Sequence, residues 1–267
     1  MVWWGPKIMK SHEPLEMKRI MMAYNFGCVF LSFYIVKECV LCGYMAGYRV
    51  QCQPVTYSYD EWEMRIAKAM WWFYFSKCIE MLDTFFFIVR KKNSQLSFLH
   101  VYHHSSMFLL WWIGVKWVAG GQSWFGAMMN SFVHFIMYSY YFLAACGPAF
   151  HKYLWWKKYL TQLQLTQFGI GFVHCCQSLY FDCDFPKWMH YALLVYATSI
   201  TSLFLNFYIH AYIKRERLPK LESMTCMRAS AQGDANGNIS GSVKTACNGD
   251  TKDSVVNNGH IENKKSK

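Results

Sequence analysis

His100, His103 and His104 recur at i, i+3 and i+4, so a helix through them would point three imidazoles to one side. One stretch earlier, Lys77, Glu80 and Asp83 or Thr84 recur at i, i+3 and i+6 or i+7 and put a cation and two carboxylates on one helical face. Imidazole is a nucleophile, a base and a metal ligand near neutral pH. The trio therefore suggests either a metal site or covalent chemistry on a carbonyl, while the ladder alone could be a structural ion-pair network. Two further stripes extend the set. His134, Met137, Tyr138 and Tyr141 follow i, i+3, i+4, i+7 with Asn130 one turn before, and Thr161, Gln164 and Gln167 repeat the spacing with amides suited to a polar ligand. His174 lies one to two turns deeper and reads equally well as structural or functional.

The elements that carry these groups sit in a very apolar chain. Of 267 residues, 54% are hydrophobic and 19% aromatic, with only 16% charged, a composition that implies a polytopic membrane protein. Ionisable groups at bilayer depth cost about 2.5–3.5 kcal/mol each on insertion scales, which marks them as functional candidates. The net charge of +11 falls in short clusters between apolar runs and not in a base-reading stripe, so nucleic acid is not expected as a partner.

A bilayer core takes about 20 helical residues. Six stretches qualify: 21–47, 64–89, 98–119, 124–146, 159–180 and 189–213. The fold expected is an all-α transmembrane bundle over 21–213, after a basic segment 1–20. Arg19, Arg90, Lys91, Lys92, Lys152, Lys157, Lys158, Lys214 and Arg215 fall in alternate loops, and Asp60, Glu61, Asp182 and Asp184 in the others. That alternation places both termini in the cytosol. The outer loops hold Cys52 and Cys183, which would pair in an oxidising lumen. The remaining cysteines show no repeated metal-ligand spacing, so a zinc module is not expected.

From 214 to 267 the chain turns to a basic, polar tail too poor in apolar residues to fold. Lys264 and Lys265 stand fourth and third from its end, the dilysine pattern of retrieval to the endoplasmic reticulum. Asn238-Ile-Ser240 spells a glycosylation sequon that the cytosolic side would leave unmodified.

Histidine-box desaturases and hydroxylases hold two irons with about eight histidines, whereas here one box is joined only by His134 and His174. That leaves a single-metal oxygenase open by counting. A transporter could use the Lys-Glu-Asp ladder but has no need of the trio. Imidazole attack on a thioester uses the trio directly.

Four segments carry a resemblance: Lys77-Cys-Ile-Glu80-Met-Leu-Asp83-Thr84, His100-Val-Tyr-His103-His104, His134-Phe-Ile-Met137-Tyr138-Ser-Tyr140-Tyr141 and Thr161-Gln-Leu-Gln164-Leu-Thr-Gln167. In type and order they resemble the signature motifs of the fatty acid elongases, and Trp111-Trp-Ile-Gly-Val-Lys-Trp-Val-Ala-Gly-Gly121 with Phe185-Pro-Lys-Trp-Met-His190 is similar to the very-long-chain type. The resemblance runs from about Trp3 to Lys220. It implies a 3-ketoacyl-CoA synthase of the endoplasmic reticulum that condenses acyl-CoA with malonyl-CoA and needs no metal or other cofactor. His103 would take the acyl group and His134 assist the second half-reaction, with His100 and His104 orienting them and Lys77, Glu80 and Asp83 in support. Asn130, Tyr138, Tyr141, Gln164 and Gln167 would bind the thioester and pantetheine, and the basic loops would meet the CoA phosphates. Implied partners are membrane lipid, other elongases in homo- or hetero-oligomers, and the reductases and dehydratase of an elongation cycle. The family has seven spans against six here, so the first span is expected to be the missing one.

Overall fold

The computed structural model describes residues 1–214, and among them all regular structure is helical. A four-residue helix α1 (Gly5–Ile8) precedes α2 (Lys18–Met45), α3 (Glu61–Glu80), α4 (Leu82–Val89), α5 (Phe98–Trp117), α6 (Ser123–Cys146), α7 (Lys157–Tyr180) and α8 (Lys187–Tyr208). The segment Ile209–Lys214 is π-helical, with Lys214 Nζ 3.1 Å from His210 Nε2. The rest of the expected tail, with Asn238, Lys264 and Lys265, lies outside the described residues.

Local chemistry fixes where the helices start. The Asp60 carboxylate accepts the Trp62 N–H at 3.0 Å, and Glu61 and Glu63 follow in the first turn, favourable at the positive end of α3. Ser97 caps α5 by accepting the His100 N–H at 3.2 Å, so all three histidines fall in the first two turns of that helix. Gly147, at φ 120°, ends α6 in a conformation few other residues adopt.

Helix α2 packs between α3 and α6, α5 lies on α3, α8 on α5, α7 on α8, and α6 closes back on α7. The six long helices thus form a ring, with α3 and α6 also touching each other. Where α2, α3 and α6 meet, Cys39, Cys42, Ala69 and Ala127 are fully buried beside Phe73, Met70 and Trp111. Small side chains let these backbones approach closely, and a Cβ at Gly43 would come within 3.3 Å of the Trp124 ring.

Both ends of the ring are tied. At one end Cys52 and Cys183 form a disulfide joining the α2–α3 and α7–α8 loops across 131 residues. Beside it the Tyr57 hydroxyl donates to the Trp117 carbonyl (2.7 Å) and the Gln53 N–H donates to Gln122 Oε1 (2.7 Å). At the histidine end the Leu15 N–H donates to the Val89 carbonyl (3.0 Å), and Arg90 Nη1 reaches Met21 Sδ (2.9 Å).

The outer surface is apolar to a degree that water does not tolerate. Phe26, Phe30 and Phe33 on α2, Trp71, Trp72 and Phe75 on α3, and Leu109, Trp112 and Ile113 on α5 all stand exposed. Two stretches, Lys18–Met45 and Lys187–Lys214, are long and apolar enough to cross a membrane. Of the other four expected spans, 98–119, 124–146 and 159–180 each fall on one long helix and 64–89 on two, and in all four the site residues and Trp and Tyr side chains dilute the hydropathy.

Two boundaries differ from expectation. The stretch 64–89 is not one helix: it breaks at Met81, where the Met81 N–H turns back to the Cys78 carbonyl (3.3 Å) and the Thr84 N–H to the Met81 carbonyl (3.2 Å). No Gly or Pro marks the break, so nothing local announces it. The last stretch, expected to end at 213, leaves α-helical geometry at Tyr208.

A disulfide closing so long a loop contributes about 2–5 kcal/mol. The Cys52→Ser variant is expected to melt several degrees lower in detergent, with non-reduced peptide mapping of the parent protein showing a Cys52–Cys183 linked pair.

Candidate functional site

The site begins with Lys77. Its ammonium, on a side chain only 2% exposed, donates to Glu80 Oε1 and to Asn130 Oδ1, each at 2.8 Å, and lies 4.6 Å from the centre of the Phe73 ring. Glu80, itself 3% exposed, has Oε1 also 3.1 Å from His134 Nδ1 and accepts a longer bond from Ser76 Oγ (3.4 Å). The His134 contact is at ion-pair distance but is not aligned as a hydrogen bond, and Glu80 Oε2 is buried with no partner among the described residues. One turn on, the Tyr138 hydroxyl donates to Asp83 Oδ2 at 2.9 Å.

These contacts form three rungs between two parallel helical segments: Lys77–Asn130, Glu80–His134 and Asp83–Tyr138. The rungs advance six residues on the α3–α4 side and eight on α6. At 1.5 Å per residue that is about 9 Å against about 12 Å. The break at Met81 helps the shorter side keep pace, because a 3₁₀-type turn rises about 2.0 Å per residue.

The histidines of α5 face this ladder from a third helix. His100 Nε2 lies 2.9 Å from the Thr84 hydroxyl, and its ring is 4.4 Å from that of His104. The His103 ring stands edge-on to His104 at 5.2 Å and to Phe204 of α8 at 6.3 Å. Among the described residues His103 and His104 have no hydrogen-bond partner, so both keep their ring nitrogens for another group.

The structure brings together His100, His103, His104, Lys77, Glu80, Asp83, Asn130, His134 and Tyr138. Within that set Asn130 and Tyr138 are buried and bonded to the ladder. Gln164 extends Nε2 to Met137 Sδ (3.5 Å), and Tyr141 stands 40% exposed with its ring 6.0 Å from Tyr138. Gln167 is partly buried on α7 one turn further along. His174 belongs elsewhere: its Nε2 lies 2.9 Å from both Gln122 Nε2 and the Val50 carbonyl, at the disulfide end. Among the described residues no cluster of three or more His, Cys, Asp or Glu is arranged to hold a metal ion.

A second charged group was not anticipated from the sequence. Glu38, buried on α2, accepts from Arg65 Nε (3.1 Å) and Nη2 (2.8 Å) through Oε2, while Lys37 Nζ lies 2.8 Å from Oε1. A carboxylate inside the apolar run 21–47 was itself the signal, although its partner is 27 residues away. Of the basic loop residues, Lys152 and Lys157 are exposed to solvent, and Lys91 and Arg90 are half-buried at the end of α4.

With this geometry in place, a family model described as ELO: GNS1/SUR4 family matches residues 1–220. The chain belongs to that family. It is 58% identical over 232 residues to very long chain fatty acid elongase 4 of Macaca mulatta and 57% to that of Homo sapiens, covering in each case 87% of this chain and 74% of the relative. Very long chain fatty acid elongase 2 of Rattus norvegicus is 47% identical over 214 residues, 80% of this chain and 76% of the relative. The ELO match includes the full ladder and the histidine trio.

Breaking a buried pair by removing one partner costs about 3–5 kcal/mol, since the other charge is left bare. The Lys77→Met variant is expected to lose stability on that scale, and adding Glu80→Gln to it should recover a large part. Melting temperatures of the single and double variants in detergent provide the check.

Proposed function

We propose that this ELO family member is a membrane-embedded condensing enzyme that joins a long or very-long-chain acyl-CoA to malonyl-CoA, giving a 3-ketoacyl-CoA two carbons longer, carbon dioxide and CoA. The observation that carries the reading is the pairing of two unengaged histidines, His103 and His104, with a fully buried Lys77–Glu80–His134 ladder. The elongase names of its relatives point the same way.

In the first half-reaction a neutral His103 nitrogen attacks the thioester carbonyl. The C–S bond breaks, and the proton lost from the acylated ring balances the departing CoA thiolate. In the second, malonyl-CoA loses carbon dioxide, the electron pair stays as an enolate, and its carbon attacks the acyl carbonyl. The C–N bond to His103 breaks and the ring regains a proton, so one proton is taken up over the cycle. Glu80 beside His134 Nδ1 favours the proton on that nitrogen and leaves Nε2 to face the reacting groups. The Glu80 carboxylate is itself fixed by Lys77. His100, anchored on Thr84, and the adjacent His104 hold the His103 ring in place. Gln164, Gln167 and Tyr141 are positioned to meet the pantetheine arm. A dry ring interior would shield the acyl-imidazole from hydrolysis.

In this reading the six long helices cross the membrane of the endoplasmic reticulum, with the histidine end toward the cytosol and the disulfide in the lumen. CoA then approaches Arg90, Lys91, Lys92, Lys152, Lys157 and Lys158 from the cytosol, the tail 214–267 lies on the same side, and no cofactor is needed. Oligomers with other elongases and with the reductases and dehydratase are part of the same proposal.

Incubation with a long acyl-CoA alone should give an intact-mass increase equal to one acyl group, lost on adding malonyl-CoA and missing in His103→Ala. A wild-type protein that condenses without ever showing the adduct would refute the ping-pong step. Because exposed charges are screened by salt over about 10 Å at 0.1 M, the KM for malonyl-CoA should rise with ionic strength.

A further inference from the structure

Tyr24, on α2, belongs to none of the motifs, yet it reaches the one irregular point in the ladder. Its hydroxyl donates to the Ile79 carbonyl at 3.4 Å. That carbonyl lies in the last turn of α3, where the Met81 N–H also points to it at the break. The Tyr24 ring packs edge-on against Phe86 of α4 (5.0 Å) and against Tyr138 of α6 (6.1 Å). One side chain therefore touches the end of α3, the middle of α4 and the α6 residue that bonds Asp83.

A helix that breaks without Gly or Pro needs another cause, and a side chain inserted into the hydrogen-bond ladder is an established one. Asp83 sits two residues after the break, so the geometry of the break sets which way its carboxylate points. The break lies between the Glu80–His134 and Asp83–Tyr138 rungs, so it bears on the second of them.

From this geometry we propose that Tyr24 is a positioning residue for the condensation: it holds the α3–α4 break open at Ile79 and so keeps the Asp83–Tyr138 rung aligned below the Glu80–His134 rung. It touches no substrate and acts through Asp83 and Tyr138. The proposal rests on the condensing activity for its kinetic consequence, but the structural part stands without it.

Tyr24→Phe removes only the hydroxyl and keeps the ring contacts. Two measurements on the full chain in detergent separate the possibilities. Amide hydrogen exchange over the peptide spanning 79–86 should speed up about tenfold in Tyr24→Phe, with peptides from the α7–α8 pair unchanged. Steady-state condensation of a long acyl-CoA with malonyl-CoA should show kcat lowered about tenfold and both KM values within about twofold, and Tyr24→Phe combined with Tyr138→Phe should be no worse than Tyr138→Phe alone. Unchanged exchange over 79–86 would overturn the proposal, as would unchanged kcat or fully additive losses in the double variant. If the wild-type protein does not condense at all, the function proposed above fails, and the exchange data still decide whether Tyr24 holds the break.

Discussion

A carboxylate with almost no exposure to solvent has to be neutralised where it sits, and Glu80 is that carboxylate. One oxygen is shared by Lys77 and His134, with Ser76 at longer range, and the other has no partner among the described residues. From this requirement the surrounding architecture follows. Lys77 has to be buried next to it, Asn130 has to supply a second acceptor for Lys77, and α6 has to run parallel to α3 at a register that delivers Asn130, His134 and Tyr138 in succession. A polar chain of this kind, with every cation engaged, rigidifies the helices that carry it.

Helix packing then serves the ladder. The small residues Cys39, Cys42, Gly43, Ala69 and Ala127 bring α2, α3 and α6 close together over a shared core, so the two sides of the ladder cannot drift apart. Helix α5 leans on α3 and carries its histidines at the end where Ser97 starts it. The pair α7–α8 completes the ring and contributes Gln164 and Phe204 at its margin.

Much of this was legible before any coordinates. The helical spacings placed the Lys, Glu and His groups on common faces, and the apolar runs gave six long helices with ends correct to a few residues, except where 64–89 breaks at Met81 and the last run leaves α-helical geometry at Tyr208. What spacing could not give was partnership across helices. That Asn130 bonds Lys77 and Tyr138 bonds Asp83 depends on register between segments 53 and 55 residues apart, which no local pattern encodes. The break at Met81 escaped for the same reason: the residues there favour helix, and tertiary contacts override them. His174 was undecided from the sequence because a histidine on a helix looks the same whether it serves chemistry or bridges to a loop, and here it bridges to Val50 and Gln122.

The clasp between Cys52 and Cys183 also orders events in time. Its two halves are 131 residues apart, and Cys183 lies between α7 and α8, so it can form only after the helices of the ladder have been made. During synthesis α2, α3 and α6 must therefore find one another without it. The covalent link then records that the last helix pair has arrived, turning a reversible association of helices into a closed ring whose assembly history is written in a single bond.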